Sequence, residues 1–590
     1  MGRAITTMIS PSMQMPEQSG LLNFWSRCGI WKHGLFYLFL MLPFSLLRHI
    51  RIHGDEKVYV GQALEMVRAG HFWQQLQFGD VNYIKGPSHY LFLILGHHLF
   101  GFSMLSTVYM NLLIGALAVV AIRAATEHLL PKESTLKALP AWLFAGSGAY
   151  VLFSLSSQME SELTSLYAIS LSLAVLARAT EKSVYFLLLW LCIGFAGTLK
   201  SPLHSCLLGV SVLAYFALCR SLMTQLFSSP ARIGFLLAGV VLGGSGYLVP
   251  YLLDRENWLG TYIFREQIDR PHFSDSPIQF LLNNFLFHFF PWTLLVVHCV
   301  AIAVKRIRVK AFQWDELTKV SLAFALPTFA FFFGLGYLAP WYGLPMLAPL
   351  SLLLVGQLQT SPTPFKDLAN SLIPLTALML ILALLFHILF HGGTTWWTTG
   401  TSIFICFVFL LSFLILEAVI VGRKVAPHVS VFGAMALFWT GSLVLTATLG
   451  EAELSDLRSL TSKYEAPLNY NNTKKENYSE WGYMAYMSGN PSFYSTSHEE
   501  LLEAGLRGEW LVFSSAAELN GFWNWLKMNN LDAVGMLQPD VNVWRRWPRN
   551  VTQMREIWNS RKSTENFWDK TTRHFLLVRF QNRKAQVSLE

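Results

Sequence analysis

Charge is what this sequence has least of. Only 14% of its 590 residues are Asp, Glu, Lys or Arg, against about 25% in an ordinary soluble chain. With 53% hydrophobic residues, a globular core has too few charges to cover it, so lipid is the expected solvent. Cysteine is scarce too. Cys28, Cys192, Cys206, Cys219, Cys299 and Cys406 are all there are, and none sits in a Cys-x-x-Cys or Cys/His spacing. Neither a structural zinc site nor a disulfide framework is therefore indicated. The chain also lacks a P-loop, a Gly-x-Ser-x-Gly elbow, a His-Glu-x-x-His helix and a Gly-x-Gly-x-x-Gly turn in a βαβ setting. Nucleotide hydrolysis, zinc proteolysis and serine hydrolysis therefore have no residues to work with. The formal charge of +8 forms no basic stripe, so no nucleic-acid partner is expected; membrane proteins collect Lys and Arg in cytoplasmic loops. No internal repeat and no cleavable leader pattern is present, and the first apolar run, Gly34 to Leu47, reads as a retained span.

What the sequence does have is long apolar runs, with Phe 44 and Trp 20 to furnish interfacial belts and a mean hydropathy of +0.39. Runs of about 17–25 residues predict spans near 29–47, 104–125, 138–155, 162–178, 184–199, 202–219, 232–253, 280–304, 318–336, 341–358, 370–391, 400–422 and 429–449. The fold class expected is thus mainly α, a polytopic membrane protein of about thirteen transmembrane helices with a small C-terminal α/β domain. The residues divide into a cytoplasmic N-terminus 1–28, a transmembrane domain 29–450 and a periplasmic domain 451–590. The positive-inside rule orients them: Arg27, Lys32, Arg123, Lys132, Lys137, Arg178, Lys182, Arg220, the Lys305–Lys310 cluster, Arg423 and Lys424 all fall inside.

Pro87 to Phe102 is apolar but too short to cross, and counting it as a span would put the Lys305 cluster outside. Residues 48–103 therefore read as one external loop with helices lying on the membrane. Within it, Val60, Ala63, Leu64 and Val67 form the stripe of an amphipathic helix over Asp55 to Ala69. In the tail, Glu509–Ser515 and His574–Phe580 have strand patterns, while Ser497–Gly508 and Ala516–Asn530 look helical. Asn471, Asn477 and Asn550 stand in N-x-[ST] tripeptides, which arise readily by chance in a polar segment.

Ionisable residues avoid the span interiors, Glu417 being the acidic exception. A proton or ion relay places such groups near mid-membrane, so chemistry at the outer interface is favoured over the rival reading, a lipid or solute transporter. Asp55-Glu56 follows the first span. A carboxylate there can take a proton from an acceptor, or it can simply cap the next helix. Lys85, in Tyr83-Ile84-Lys85-Gly86-Pro87, suits a lipid phosphate or ordinary snorkelling. Ser157 and Glu160 have capping-box spacing for the fourth span, beside Glu162. Lys200 precedes Pro202, a good helix starter. The loop 254–279 carries Tyr262, Arg265, Glu266, Arg270 and His272, and its arginines suit an anionic diphosphate or phosphate. Trp341-Tyr342 has the position of an aromatic belt.

Taken in order over residues 30–350, these motifs resemble the membrane glycosyltransferases of the GT-C fold, in the aminoarabinose (lipid A) transferase and protein O-mannosyltransferase group. The matching elements are Asp55-Glu56 with the Tyr59 helix, Tyr83-Ile84-Lys85-Gly86-Pro87, Glu160 with Thr164, Lys200-Ser201-Pro202, Glu266 to Arg270, and Pro291-Trp292. Glycine and serine here replace family residues beside the two lysines, and Glu160 replaces an aspartate. The resemblance implies a multi-pass enzyme of the bacterial inner membrane, inverting, that moves a sugar from a polyprenyl-phosphate carrier to a lipid A-like lipid or a protein on the periplasmic face. It implies Asp55, Glu56 and Glu160 as catalytic residues. Lys85, Lys200, Arg265 and Arg270 would hold the donor phosphate, and Tyr59, Tyr83, Glu266 and Tyr342 would make further substrate contacts. No cofactor is demanded; some relatives carry a divalent metal, and no His/Asp cluster here requires one.

Overall fold

The computed structural model describes residues 29–46, 56–77, 80–101, 103–134, 136–268, 277–282, 288–289, 292–309, 314–334, 340–360, 468–471, 492–495, 497–513, 516–529, 540–545 and 572–578. Asp55, Arg270, Pro291 and the three spans expected between 370 and 449 lie outside them.

Helix α1 (Ile30–Leu46) is followed by α2 (Glu56–Ala69), a two-residue hairpin of β1 (Leu76–Gln77) with β2 (Asp80–Val81), and α3 (Pro87–Phe100). Pro87 opens α3 at a position whose N–H has no intrahelical partner in any case. Gly101, with φ of 64°, closes it. At 14 residues α3 rises about 21 Å, short of the roughly 30 Å of a hydrocarbon core. The expectation of a non-spanning segment therefore agrees with its length. Helix α2 departs from the expected surface-lying helix: Tyr59, Val60, Gln62, Ala63, Leu64, Glu65 and Met66 are all buried. Its polar positions are enclosed because they are partnered. Gln62 donates to the Asn82 carbonyl at 3.1 Å and accepts from the Tyr90 hydroxyl at 2.6 Å.

Next come α4 (Met104–Leu129), α5 (Leu139–Ala145), α6 (Gly148–Ser154), α7 (Met159–Thr180), α8 (Ser183–Leu199), α9 (Pro202–Leu218) and α10 (Pro230–Leu253). The span expected at 138–155 is two short helices, α5 and α6, interrupted at Gly146-Ser147. A short helix, Arg255–Asn257, continues as the π-helix Trp258–Ile268. The span expected at 280–304 is described as α11 (Pro277–Leu282) and α12 (Thr293–Arg308). Then follow α13 (Glu316–Gly334), the 3-10 segment Pro340–Met346 and α14 (Leu347–Gln359).

Among the described residues, five segments are long and apolar enough to cross a membrane: Leu105–Leu129, Met159–Thr180, Pro230–Leu253, Glu316–Gly334 and Trp341–Gln359. Helices α8 and α9 are apolar but shorter. Helix α10 shows the lipid logic plainly. Its large residues Leu237, Val240, Val241, Leu248 and Leu252 are exposed, while Gly239, Gly246 and Pro250 are buried. The glycines let it press on α8: a Cβ at Gly239 would lie 2.4 Å from the Trp190 carbonyl oxygen, and one at Gly194 would lie 2.2 Å from that of Gly239. Where lipid tails are as apolar as leucine, close backbone approach of this kind holds helices together.

In the tail, β3 (Leu468–Asn471), β4 (Ser492–Ser495), β5 (Trp510–Phe513), β6 (Asp540–Arg545) and β7 (Thr572–Val578) form one sheet in the order β4-β3-β5-β7-β6. Strand β3 is parallel to β4 and β5, whereas β7 is antiparallel to β5 and β6. Helices α15 (His498–Leu506) and α16 (Ala516–Met528) flank β5, with Leu501, Ala504, Leu511, Phe513, Phe522 and Leu526 forming their own core.

Candidate functional site at one end of the helical bundle

Glu56, Lys85, Glu160, Lys200 and Tyr342, expected on one side of the membrane, lie at one end of the bundle. Lys200, just after α8, gives its Nζ to Glu160 Oε1 at 2.8 Å, and both side chains are buried. Glu160 lies in the first turn of α7, where the helix dipole favours a carboxylate. The same ammonium stands 5.1 Å from the ring centre of Tyr342, which stacks on Phe332 with centroids 4.6 Å apart. Lys85 is also buried, and its charge acts on both Glu160 and His204. One ammonium thus pairs with the Glu160 carboxylate, and a second lies near enough for its charge to be felt there.

The backbone around Lys85 is held by one side chain that the sequence reading passed over. Gln75 Oε1 accepts from the N–H groups of Ile84 (2.9 Å) and Lys85 (3.4 Å), and its Nε2 donates to the Lys85 carbonyl at 2.6 Å. Gly86 N–H donates to the Lys200 carbonyl at 3.3 Å. A Cβ at Gly86 would lie 2.0 Å from the Thr198 carbonyl oxygen, so this approach of the two lysine segments admits only glycine. The neighbouring Ser88 Oγ donates to Thr198 Oγ1 at 2.7 Å.

The capping-box expectation for Ser157 and Glu160 is corrected. Gln158, not Ser157, precedes α7, and it makes no side-chain cap. Ser157 instead turns to α2: its N–H (2.5 Å) and its hydroxyl (2.8 Å) both donate to Glu56 Oε1. Glu56 is fully buried, so two donors on one carboxylate oxygen repay its desolvation. His89 lies behind, with Nε2 3.0 Å from the Ser157 carbonyl oxygen and Nδ1 3.0 Å from Glu162 Oε2. Nothing in the local sequence marks His89, because its partners are 68 and 73 residues away. Tyr59 packs edge-on against His89 and Tyr90, at 5.3 and 6.1 Å between centroids.

Tyr83 sits apart from this cluster, beside the π-helix, where its N–H donates to Thr261 Oγ1 at 3.1 Å. Its hydroxyl is buried with no hydrogen-bond partner among the described residues. Burial, then the nearby Asp254 carboxylate, hold its pKa above the usual phenol range. The π-helix backbone carries Arg265 and Glu266, whose side chains lie outside the described set. Among the described residues no group of three or more His, Cys, Asp or Glu is arranged for a metal ion. Glu56, Glu160 and Glu162 are each engaged by protein partners, so this donor set does not fit a metal and no step is assigned to one.

Basic residues gather at the opposite end. Arg178 pairs with Glu316, which also accepts from the Tyr215 hydroxyl at 2.6 Å. Arg123 and Lys137 share Glu127 at 2.5 and 2.7 Å, and Arg232 lies over Phe186 at 4.1 Å.

A polytopic helical fold is the architecture that the GT-C resemblance implies. No family model and no curated protein matches the chain. Solved structures do match in fold. The crystal structure of ArnT from Cupriavidus metallidurans bound to undecaprenyl phosphate superposes with a TM-score of 0.62, covering 95% of this chain and 98% of that one at 16% identity. The apo form of ArnT from the same organism gives 0.60, with 92% and 97% covered at 15% identity. The chain has the ArnT fold, so the resemblance read from the motifs holds for its architecture.

Proposed function

We propose that this chain is an inverting membrane glycosyltransferase that draws its sugar from a polyprenyl-phosphate carrier. The observation that carries the reading is the burial together of the Lys85 and Lys200 segments, joined by the Gly86 N–H to Lys200 carbonyl hydrogen bond, with Lys200 paired to Glu160, in a fold that also occurs in a solved structure holding undecaprenyl phosphate. In the proposed reaction an acceptor hydroxyl or amine attacks the anomeric carbon. The bond from that carbon to the phosphate oxygen breaks, and its electron pair leaves with the polyprenyl phosphate. The acceptor's proton passes to Asp55. Lys85 and Lys200, with Arg265 and Arg270 from the loop, stabilise the departing anion. A low-dielectric site makes such preorganised charge effective. Glu160 keeps Lys200 aimed. Tyr83, Glu266 and Tyr342 complete the substrate contacts.

The acceptor proposed is lipid A or another envelope lipid. The site end faces the periplasm of a bacterial inner membrane, because the opposite end carries Arg123, Lys137, Arg178 and Arg232 and positive charge marks the cytoplasmic side. Nucleotide sugars are absent from the periplasm, which is why a lipid must deliver the donor.

Binding of undecaprenyl phosphate to the purified chain in nanodiscs tests the reading. Lys85→Met is expected to weaken it roughly ten- to hundredfold, the loss of one charge-assisted contact. Asp55→Asn is expected to leave it unchanged. Equal binding by wild type and Lys85→Met would contradict the phosphate role.

A further inference from the structure

The hydrogen bonds around His89 fix more than packing. Its Nε2 meets a carbonyl oxygen, which only accepts, so Nε2 carries a hydrogen. Its Nδ1 meets Glu162 Oε2 at 3.0 Å. Both residues are almost fully buried. The groups of either charge that face the ring are Glu162 and Glu160 from α7, with Glu56 one serine further on; Tyr59 and Tyr90 enclose it. No cation is placed against the ring by any contact among the described residues. Burial pushes the imidazole pKa down, but the Glu162 charge, its hydrogen bond, the Ser157 carbonyl and Glu160 outweigh it, leaving the pKa raised.

The geometry continues into the site. The Ser157 whose carbonyl takes the His89 Nε2–H is the same residue whose N–H and hydroxyl hold Glu56. Glu56 is the first residue of α2 and directly follows Asp55. A single hydrogen-bonded chain, Glu162–His89–Ser157–Glu56, therefore ties the start of α7 to the start of α2 through α3. We propose that His89 is a buried imidazolium and a positioning residue for sugar transfer: through Ser157 it fixes Glu56 and the chain leading to Asp55. The charge state stands on the geometry of these residues; the consequence for transfer rests on the glycosyltransferase reading.

Two near-isosteric substitutions separate positioning from mere support. Asparagine places an amide N–H where Nδ1 was, so His89→Asn keeps the Glu162 contact and gives up Ser157. Glutamine places one where Nε2 was, so His89→Gln keeps Ser157 and gives up Glu162. Both variants remove the cation, but asparagine still offers Glu162 an amide N–H whereas glutamine leaves that side of the buried carboxylate with no donor, so the Gln variant is the less stable protein. Positioning through Ser157 makes the Asn variant the less active one. The expected result is a crossover, with Asn closer to wild type in melting temperature but roughly ten- to hundredfold lower in transfer rate, and Gln keeping most of the rate. Ranking in the same order by stability and by rate, or no loss of rate in the Asn variant, would overturn the positioning role.

The charge is read separately, on the full chain labelled with 15N-histidine in nanodiscs, with His89→Asn identifying the signal. Both ring nitrogens are expected to show imidazolium shifts at neutral pH, and Glu162→Gln is expected to return the ring to its neutral form. A neutral ring in the wild-type chain would overturn the imidazolium. Because this measurement needs no sugar, a wild-type chain that transfers none would remove the glycosyltransferase reading and the positioning role with it, while the imidazolium is still judged by its own signal.

Discussion

Lys200 is proposed to serve stability and chemistry together. Its ion pair with Glu160 is buried on both sides, and such a pair is strongly destabilising to break because the survivor is left charged and unpaired. Lys200→Met is therefore expected to cost about 3–5 kcal/mol, seen as a lower melting temperature in detergent. The double variant Glu160→Gln with Lys200→Met removes both charges and is expected to recover most of that loss while sugar transfer stays low. Recovery of transfer along with stability would show the pair to be structural only. The sequence marks both residues, because each stands where an apolar run ends, and it marks Lys85 for the same reason. It misreads Ser157. A serine three positions before a glutamate at a helix start has the local form of a cap, and its actual partner, Glu56, is 101 residues away. Gln75 and His89 leave no local trace either, since their roles exist only once α3 is folded onto α7 and the hairpin.

At the scale of elements, apolar length and proline position predict most of what is found. The spans expected at 184–199 and 202–219 are α8 (Ser183–Leu199) and α9 (Pro202–Leu218), with Pro202 at the first turn as anticipated. The interrupted segment α5–α6 is not legible in the same way. Hydropathy counts apolar residues across Gly146-Ser147 without sensing the break, because both halves, LPAWLFA and GAYVLFS, are apolar in composition. Helix α2 was legible as a helix and by its stripe, but not as a helix enclosed by protein. The join between α3 and the end of α8 depends on Gly86. Gly86→Ala places a methyl against the Thr198 carbonyl, and backbone cannot yield as a flexible side chain does. The expected outcome is about 1–3 kcal/mol of lost stability from overpacking, together with weaker undecaprenyl phosphate binding as Lys85 is displaced. Wild-type melting and binding in this variant would show that the two segments separate at no cost.

At the scale of the whole molecule, charge is sorted by end. One end gathers Glu56, Lys85, Glu160, Glu162 and Lys200, and the other gathers Arg123, Lys137 and Arg178 with their acidic partners, and Arg232 over Phe186. The sequence grouped Arg123, Lys137 and Arg178 on one side by the positive-inside rule, and these three lie away from the Glu160–Lys200 pair. The order of the tail sheet was not legible. Strand patterns indicate β5 and β7 but carry no information on which neighbour each will choose. The central claim is that the charged end of this fold transfers a sugar to an envelope acceptor. Mass spectrometry of envelope lipids, lipid A above all, tests it most directly, comparing cells that lack the chain with cells expressing wild type or Asp55→Asn. The account predicts a sugar-sized mass gain that requires the wild-type chain and disappears with Asp55→Asn while that variant still reaches the membrane. An unchanged lipid profile would contradict the proposed lipid acceptor, and a mass gain that persists in Asp55→Asn would contradict the role given to Asp55.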